Sequence, residues 1–205
     1  MKKAFVILVV LVCVMTSTLA SAERIVFDKS VFEGMDGYES YEDGAYAYSA
    51  SYMSASFADM LSGKADQAIQ VTIGFQSFTD AIYVDLHLNA FNWDLYGAQK
   101  WNIQTVSFTV DDAVIQYEWV GSTENGAVVT LTEKSIEALE LISKTKKMTI
   151  TISNDTEKAA IEIDGDTVKK FAEVAGNILK FNVISYVSPS AKKDADESVV
   201  ITITK

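Results

Sequence analysis

The stretch IYVDLHLNAF at residues 82–91 decides the fold class, because its side chains alternate between an apolar set and a largely polar set. The apolar set consists of Ile82, Val84, Leu86, Leu88 and Ala90, and the other set of Tyr83, Asp85, His87, Asn89 and Phe91. A period of two predicts a β-strand with one face buried and the other wet. Strands of this kind belong to antiparallel sheets, so the stretch favours an all-β protein.

The same alternation recurs on both sides of this strand. Residues 69–76 alternate in the same way, and residues 77–80 supply a turn that pairs the two strands as a hairpin. Downstream, Asp111-Asp112 separates two apolar runs at the spacing of a two-residue hairpin loop. About ten strands are predicted in all, the remainder at residues 101–110, 113–120, 127–131, 148–153, 159–163, 178–186 and 198–204.

Two short segments have the periodicity of a helix. In residues 135–147 apolar side chains recur at three-residue spacing, and Ser135 is expected to cap the start. Residues 167–175 carry an i, i+3, i+4, i+7 stripe, with Asp166 or Thr167 as the cap and Gly176 at the end. Neither helix is long enough to connect neighbouring parallel strands in a series of βαβ units. The predicted architecture is therefore an antiparallel β-sandwich of jelly-roll type, with a closed barrel as the alternative.

The N-terminus is typical of a secretory signal peptide. Lys2 and Lys3 precede an apolar run at residues 4–15, and Ala20-Ser21-Ala22 matches a cleavage site. The run is shorter than the ~20 residues of a spanning helix, so we expect no membrane insertion after cleavage. Residues 1–22 are predicted to be removed, leaving residues 23–205 as one exported domain, periplasmic or extracellular. The only cysteine leaves with the signal, so the mature chain has no disulfide.

The composition excludes two classes of protein. The 205 residues include 28 acidic and 17 basic side chains, which gives a formal net charge of −11. Such a chain has no basic surface for neutralising phosphates, so we expect no nucleic-acid partner. Hydrophobic residues make up 49% of the chain, which is too many for a disordered acidic tail.

Signatures of catalytic, metal and cofactor sites are largely missing from the sequence. His87 is the only histidine, and the nucleophile motif G-x-S-x-G does not occur. Zinc would need three or four His or Cys ligands or His with carboxylates, and nucleotide cofactors would need a glycine-rich loop. Asp164-Gly165-Asp166 offers oxygens that calcium could use, but the same step also suits a turn into a helix. We therefore expect no cofactor and no metal.

Carboxylates keep one catalytic alternative open. A polysaccharide hydrolase needs two carboxyl groups facing each other across a cleft. Asp85, Asp94 and Glu118 lie in or near predicted strands and are the candidates for such a pair. Most other acidic residues fall in predicted turns, where solvated carboxylates are usual.

Aromatic residues supply the candidate binding sites. Five tyrosines crowd into residues 36–57, where they either pack at a sheet rim or form a platform for sugar rings. The connection at residues 92–100 carries Trp93 and Tyr96 beside the polar face that holds Tyr83 and His87. We take these last four as the candidate ligand-binding residues.

These observations predict an exported, non-catalytic β-sandwich of the bacterial envelope. It would serve as a binding or structural module for a glycan or a protein partner. Two alternatives remain open: a carboxylate-dependent polysaccharide hydrolase, and a structural subunit that assembles through its edge strands.

Overall fold

The protein is a β-sandwich of two antiparallel sheets with five strands each. The structure, a computed structural model, describes residues 27–77, 84–119, 127–130, 133–186 and 199–205. The expected all-β class and the count of about ten strands are confirmed. The strands are β1 Tyr38–Ser40, β2 Tyr46–Met53, β3 Gln67–Ser77, β4 Val84–Asp94, β5 Thr105–Val110, β6 Ala113–Trp119, β7 Ala127–Thr130, β8 Met148–Ser153, β9 Lys158–Ile163 and β10 Val199–Thr204.

The first sheet has the strand order β1-β2-β3-β4-β7 and contains the strand that decides the fold class. β3 and β4 pair over eleven residues, with Phe75 opposite Leu86 and Ile73 opposite Leu88. The side chains of β4 alternate as predicted, since Val84, Leu86 and Leu88 are buried in the core. Four consecutive strands, β1 to β4, follow one another within this sheet, so the expected jelly-roll connectivity is not confirmed.

The second sheet has the order β10-β6-β5-β8-β9. β5 and β6 form the predicted hairpin, in which Val110 pairs with Ala113 across Asp111 and Asp112. Asp111 adopts the left-handed conformation with φ 48°, as tight hairpin loops require. One face of β5, β6 and β8 is buried, and the other face carries mainly hydroxyl, amide and charged side chains.

Three α-helices accompany the sheets, one more than the sequence predicts: α1 Phe57–Leu61, α2 Glu133–Ile142 and α3 Gly165–Lys180. α3 contacts β2 and β3 of the first sheet, while α2 contacts α3 and β10 of the second. The two longer helices thus connect the sheets, and a common hydrophobic core takes side chains from all of them, Leu86, Phe108, Leu139 and Phe171 among them.

The structure corrects the predicted helix at residues 167–175 and the strand at residues 178–186. The cap is Asp164, whose side chain accepts a hydrogen bond from the backbone N–H of Thr167. The helix continues past Gly176 to Lys180 because Ile178 still falls on the buried face, and a 3-10 helix, Val183–Tyr186, follows. β-Branched residues suggested a strand here, but burial on a helical period overrides that propensity.

The other predicted helix also differs in its ends. It begins at Glu133 and not after Ser135, and it ends at Ile142, before the lysines at 144, 146 and 147. Ser135 is buried inside the helix. The strand predicted to begin at Trp101 begins at Thr105.

Candidate functional site: an aromatic patch on the outer face of the first sheet

The structure places the predicted candidates along one strand and the turn that follows it. His87 and Trp93 project from the outer face of β4, which faces away from the common core, and Tyr96 lies in the turn after this strand. Tyr83 lies outside the described residues. Trp93 is the second-last residue of β4 and Tyr96 follows two residues after the strand ends, while His87 lies three side-chain positions before Trp93 on the same face.

Trp93 is half-buried and fixed in orientation by its neighbours. Its indole Nε1–H donates a hydrogen bond of 3.0 Å to Oε1 of Gln70 on β3. The ring of Phe57 packs edge-on against it with centroids 6.3 Å apart, and the centroid of the Phe91 ring lies 6.1 Å away. Trp93 is thus an oriented aromatic group at the surface and belongs to no part of the common core.

Phe57 reaches Trp93 because the one-turn helix α1 lies against the outer face of the sheet. A capping box holds this helix: the Ser56 side chain accepts from the backbone N–H of Asp59, whose carboxylate accepts from Ser56. Met60 of this helix is fully buried although it is outside the common core. Leu61, one helical turn after Phe57, is 76% exposed.

The turn after β4 presents Tyr96 to solvent. One carboxylate oxygen of Asp94 accepts from the backbone N–H groups of Tyr96 and Ala98, at 2.9 and 3.0 Å. Gly97 has φ +78°, and a Cβ on it would come within 3.3 Å of the Phe57 ring, so a larger residue would push the turn away from α1. The Tyr96 side chain in this turn is 87% exposed.

We call these four residues the aromatic patch: Phe57, Leu61, Trp93 and Tyr96. Five large hydrophobic residues are exposed in the described part of the chain, and three of them, Phe57, Leu61 and Tyr96, belong to this patch. The Phe57 ring contacts Trp93, and the turn that carries Tyr96 approaches the same ring at Gly97, so the patch occupies one region of the surface. Isolated exposed apolar side chains are ordinary, but several in one region are typical of a contact surface.

His87 occupies the middle of the same outer face. Its register partners are Gly74 on β3 and Thr130 on β7, neither of which carries a charge. Burial lowers the pKa of the His87 imidazole below its ordinary value. His87 is therefore a neutral polar group at physiological pH, and the described structure gives it no charged partner of the kind a catalytic base requires.

The central members of the tyrosine-rich segment at residues 36–57 pack inside the protein and do not form a platform for sugar rings. Tyr46 and Tyr48 are buried on the inner face of β2, where Tyr48 stacks on Phe32 with ring centroids 4.4 Å apart. Burial raises the pKa of the Tyr48 hydroxyl, which accepts a hydrogen bond of 2.9 Å from Asn177 of α3. Packing between the sheet and the helix explains these rings.

Two of the carboxylates proposed for hydrolysis, Asp94 and Glu118, do not face each other. Asp94 shapes the turn after β4 on the first sheet, whereas Glu118 is exposed on β6 of the second. The Asp85 side chain is outside the described part of the structure.

A different pair of carboxylates, Asp36 and Glu173, lines a cavity of about 180 Å³ between β2 and α3. Both are exposed, and Lys170 forms an ion pair with Asp36 at 3.3 Å. A hydrolase needs one carboxyl group that stays protonated, which usually requires burial in apolar surroundings. This cavity does not provide that environment.

The segment Asp164-Gly165-Asp166, which could offer oxygens to calcium, forms the beginning of α3. Asp164 caps α3 and Asp166 lies in its first turn. Hydrogen bonds from Thr167 hold the pKa of the Asp164 carboxyl below its ordinary value. Within the described ranges no group of three or more His, Cys, Asp and Glu side chains is placed to hold a metal ion.

Comparison with known proteins finds no matching protein family, no similar curated protein and no similar solved structure. In the part of the chain that the structure describes, no helix is both long and apolar enough to span a membrane.

Sequence reasoning missed Phe57 and Leu61. Their helix is a single turn, too short to show a hydrophobic period. The signal that could have found it is Ser56-x-x-Asp59, a capping-box spacing at the start of an apolar segment.

Proposed function

We propose that the protein is an exported, non-catalytic binding module of the bacterial envelope, and that the aromatic patch is its contact surface. The observation that carries the proposal is the exposure of Phe57 and Leu61 on α1 and of Tyr96 in the turn after β4, together with a Trp93 ring that Gln70 and Phe57 hold in place. The partner is a glycan or an envelope protein, as the sequence led us to expect.

The chemistry of the patch supports this role. Tyrosine and tryptophan combine a flat apolar face with one polar atom, so they contact partially hydrated partners at a low cost in conformational entropy. Trp93 is already ordered by its hydrogen bond and its two aromatic neighbours, so little freedom remains to be lost on binding. An ordered ring beside an exposed one favours binding over simple solvent exposure.

Assembly through edge strands has less support. The edge strand β9 exposes Lys158 and Glu162, and charged side chains at an edge discourage pairing with another chain. At the other edge of that sheet, Lys134 donates a hydrogen bond to the backbone carbonyl of Ile201 in β10. Both edges of the second sheet therefore carry features that oppose strand addition.

Glycan arrays and pull-down assays with residues 23–205 test the proposal. We expect Tyr96→Ala to remove or strongly reduce each interaction that the wild-type protein shows. Tyr41→Ala is the matched control, because Tyr41 is also exposed but lies beyond β1, away from the patch. Equal losses in both variants, or no loss with Tyr96→Ala, would show that the patch is not the contact surface.

Export is tested separately by expressing the full chain in a bacterium and fractionating the cells. We expect the protein in the periplasm or the medium, with Glu23 as its N-terminal residue after cleavage behind Ala22. Uncleaved protein in the cytoplasm would contradict this part of the proposal.

A further inference from the structure

We infer that the partner of the aromatic patch is an electrically neutral glycan chain, lying along the outer face of β3 and β4 from Tyr96 towards His87. This inference rests on the proposed function, because it names the ligand class of the same surface. The argument uses the charges at the patch, its amide groups and the composition of the adjoining face.

The charged groups at the patch are engaged within the protein. The Asp94 carboxylate accepts two backbone hydrogen bonds of the turn, and Lys100 Nζ donates to Oε1 of Gln67 at 3.4 Å. Lys64 lies 3.7 Å from a carboxylate oxygen of Asp59 in α1. An ionic ligand would have to compete for these groups, whereas a neutral one leaves them in place.

The net charge of −11 also disfavours an anionic ligand. It repels anionic polysaccharides and anionic lipid surfaces at long range. The charge of Lys64 is offset by the Asp59 carboxylate, and Lys100 donates to the neutral amide of Gln67, so these two lysines do not form a cluster of uncompensated positive charge for phosphate or carboxylate groups.

Amide groups beside the rings suit hydroxyl-bearing ligands. Gln70 uses Oε1 to hold the Trp93 indole, which leaves its Nε2 hydrogens without a protein acceptor among the described residues. An aromatic face contacts the apolar C–H face of a pyranose ring, and an amide beside it donates to a ring hydroxyl. Trp93 and Gln70 provide this pair of contacts at adjacent positions.

The face continues beyond the patch with uncharged polar side chains. Thr72 on β3 and Asn89 on β4 are directly opposite each other, and the Thr72 hydroxyl is 2.7 Å from that of Ser51 on β2. His87 follows, and burial lowers the pKa of its imidazole, so this part of the face stays neutral at physiological pH. The Thr72 and Ser51 hydroxyls extend the polar surface beyond Gln70, which fits an extended chain better than a single sugar.

Affinity electrophoresis in native gels tests the ligand class. The gels contain one soluble polysaccharide each: hydroxyethylcellulose, mixed-linkage β-glucan, galactomannan or dextran as neutral probes, and polygalacturonate or heparin as anionic probes. Flotation with phosphatidylcholine–phosphatidylglycerol vesicles tests the lipid alternative. The proteins are residues 23–205 as wild type, Tyr96→Ala, Gln70→Ala and the control Tyr41→Ala.

We expect at least one neutral polysaccharide to retard the wild type and the Tyr41→Ala control. Tyr96→Ala and Gln70→Ala should each weaken that binding about tenfold, the loss usual for an important contact residue. Unchanged thermal unfolding of Tyr96→Ala would show that the loss is local.

Two sets of results would overturn the inference. Patch-dependent binding only to an anionic polysaccharide, to vesicles or to a protein would refute the neutral-glycan class while leaving the binding module intact. Absence of patch-dependent binding to every probe and in the pull-down assays would refute both proposals.

Discussion

Leu86 and Asn89 lie three residues apart on β4 and project to opposite faces of the first sheet. Leu86 is fully buried in the common core. Asn89 is half-buried on the outer face, where its Oδ1 is out of solvent and has no hydrogen-bond partner in the described structure. Substitutions at these two residues therefore measure separately what the core and the outer face contribute to the free energy of unfolding.

We expect Leu86→Ala to lower the free energy of unfolding by about 2–5 kcal/mol, because it removes apolar contacts and leaves a cavity. Asn89→Ala should cost less than about 0.5 kcal/mol, since it deletes a polar atom that has lost its water without gaining a partner. Urea unfolding of both variants measures the difference. Equal costs would mean that the two faces of β4 are not distinct.

His87 predicts how stability depends on pH. Burial lowers the pKa of the folded imidazole below 6.5, so protons bind more tightly to the unfolded state. The stability that the neutral His87 imidazole contributes is fully present above about pH 6.5. It is lost as the pH falls from there through the pKa of His87 in the folded state. This pH window lies above the pH range in which Asp28 and Asp164 titrate, because the pKa values of their carboxyl groups are lowered.

Unfolding free energies measured between pH 7.5 and pH 5 test this expectation. The wild type should lose stability across this window, and His87→Gln should lose less because it removes the only imidazole in the chain. Superimposable pH profiles for the two proteins would mean that His87 titrates with an ordinary pKa in the folded state.

At the scale of elements, one hydrogen bond connects the first sheet to α3. Asn177 donates from Nδ2 to the Tyr48 hydroxyl at 2.9 Å, and Tyr48 is almost fully buried. A double-mutant cycle with Tyr48→Phe and Asn177→Ala should give a coupling free energy of about 0.5–1.5 kcal/mol. If urea unfolding shows that the double variant loses the sum of the unfolding free energies lost by the two single variants, the bond does not couple the two elements.

The long strands were predictable because one wet face and one buried face leave a period of two in the sequence. Residues 148–153 carry this pattern and form β8 with the predicted ends. Gly176 was misleading: it lies inside α3, where a Cβ would make only an ordinary contact with Ser143, and the helix continues to Lys180. Sequence alone does not distinguish a glycine inside a helix from one that ends it.

Part of the candidate site was predictable for a different reason. Trp93 and Tyr96 stood out because large aromatic residues are unusual in a polar connection. Phe57 joins them from 36 positions earlier in the chain, through the folding of α1 onto the sheet. A contact of that separation leaves no local pattern.

At the scale of the whole molecule, stability has to come from packing alone. The chain has one cysteine, Cys13, in the predicted signal peptide. The core drawn from both sheets and two helices takes the place that disulfides hold in small secreted domains. We expect a reducing agent to leave the Tm of residues 23–205 unchanged in calorimetry, and a lowered Tm would contradict this account.

The central claim is that the aromatic patch contacts the ligand, and the fluorescence of Trp93 tests it most directly. Trp101→Phe and Trp119→Phe leave Trp93 as the only indole in the chain. Acrylamide quenching of this variant is then measured with and without the neutral polysaccharide that retards the wild type. We predict that the ligand shifts the emission of Trp93 and shields it from acrylamide, whereas unchanged emission and quenching at saturating ligand would contradict the claim.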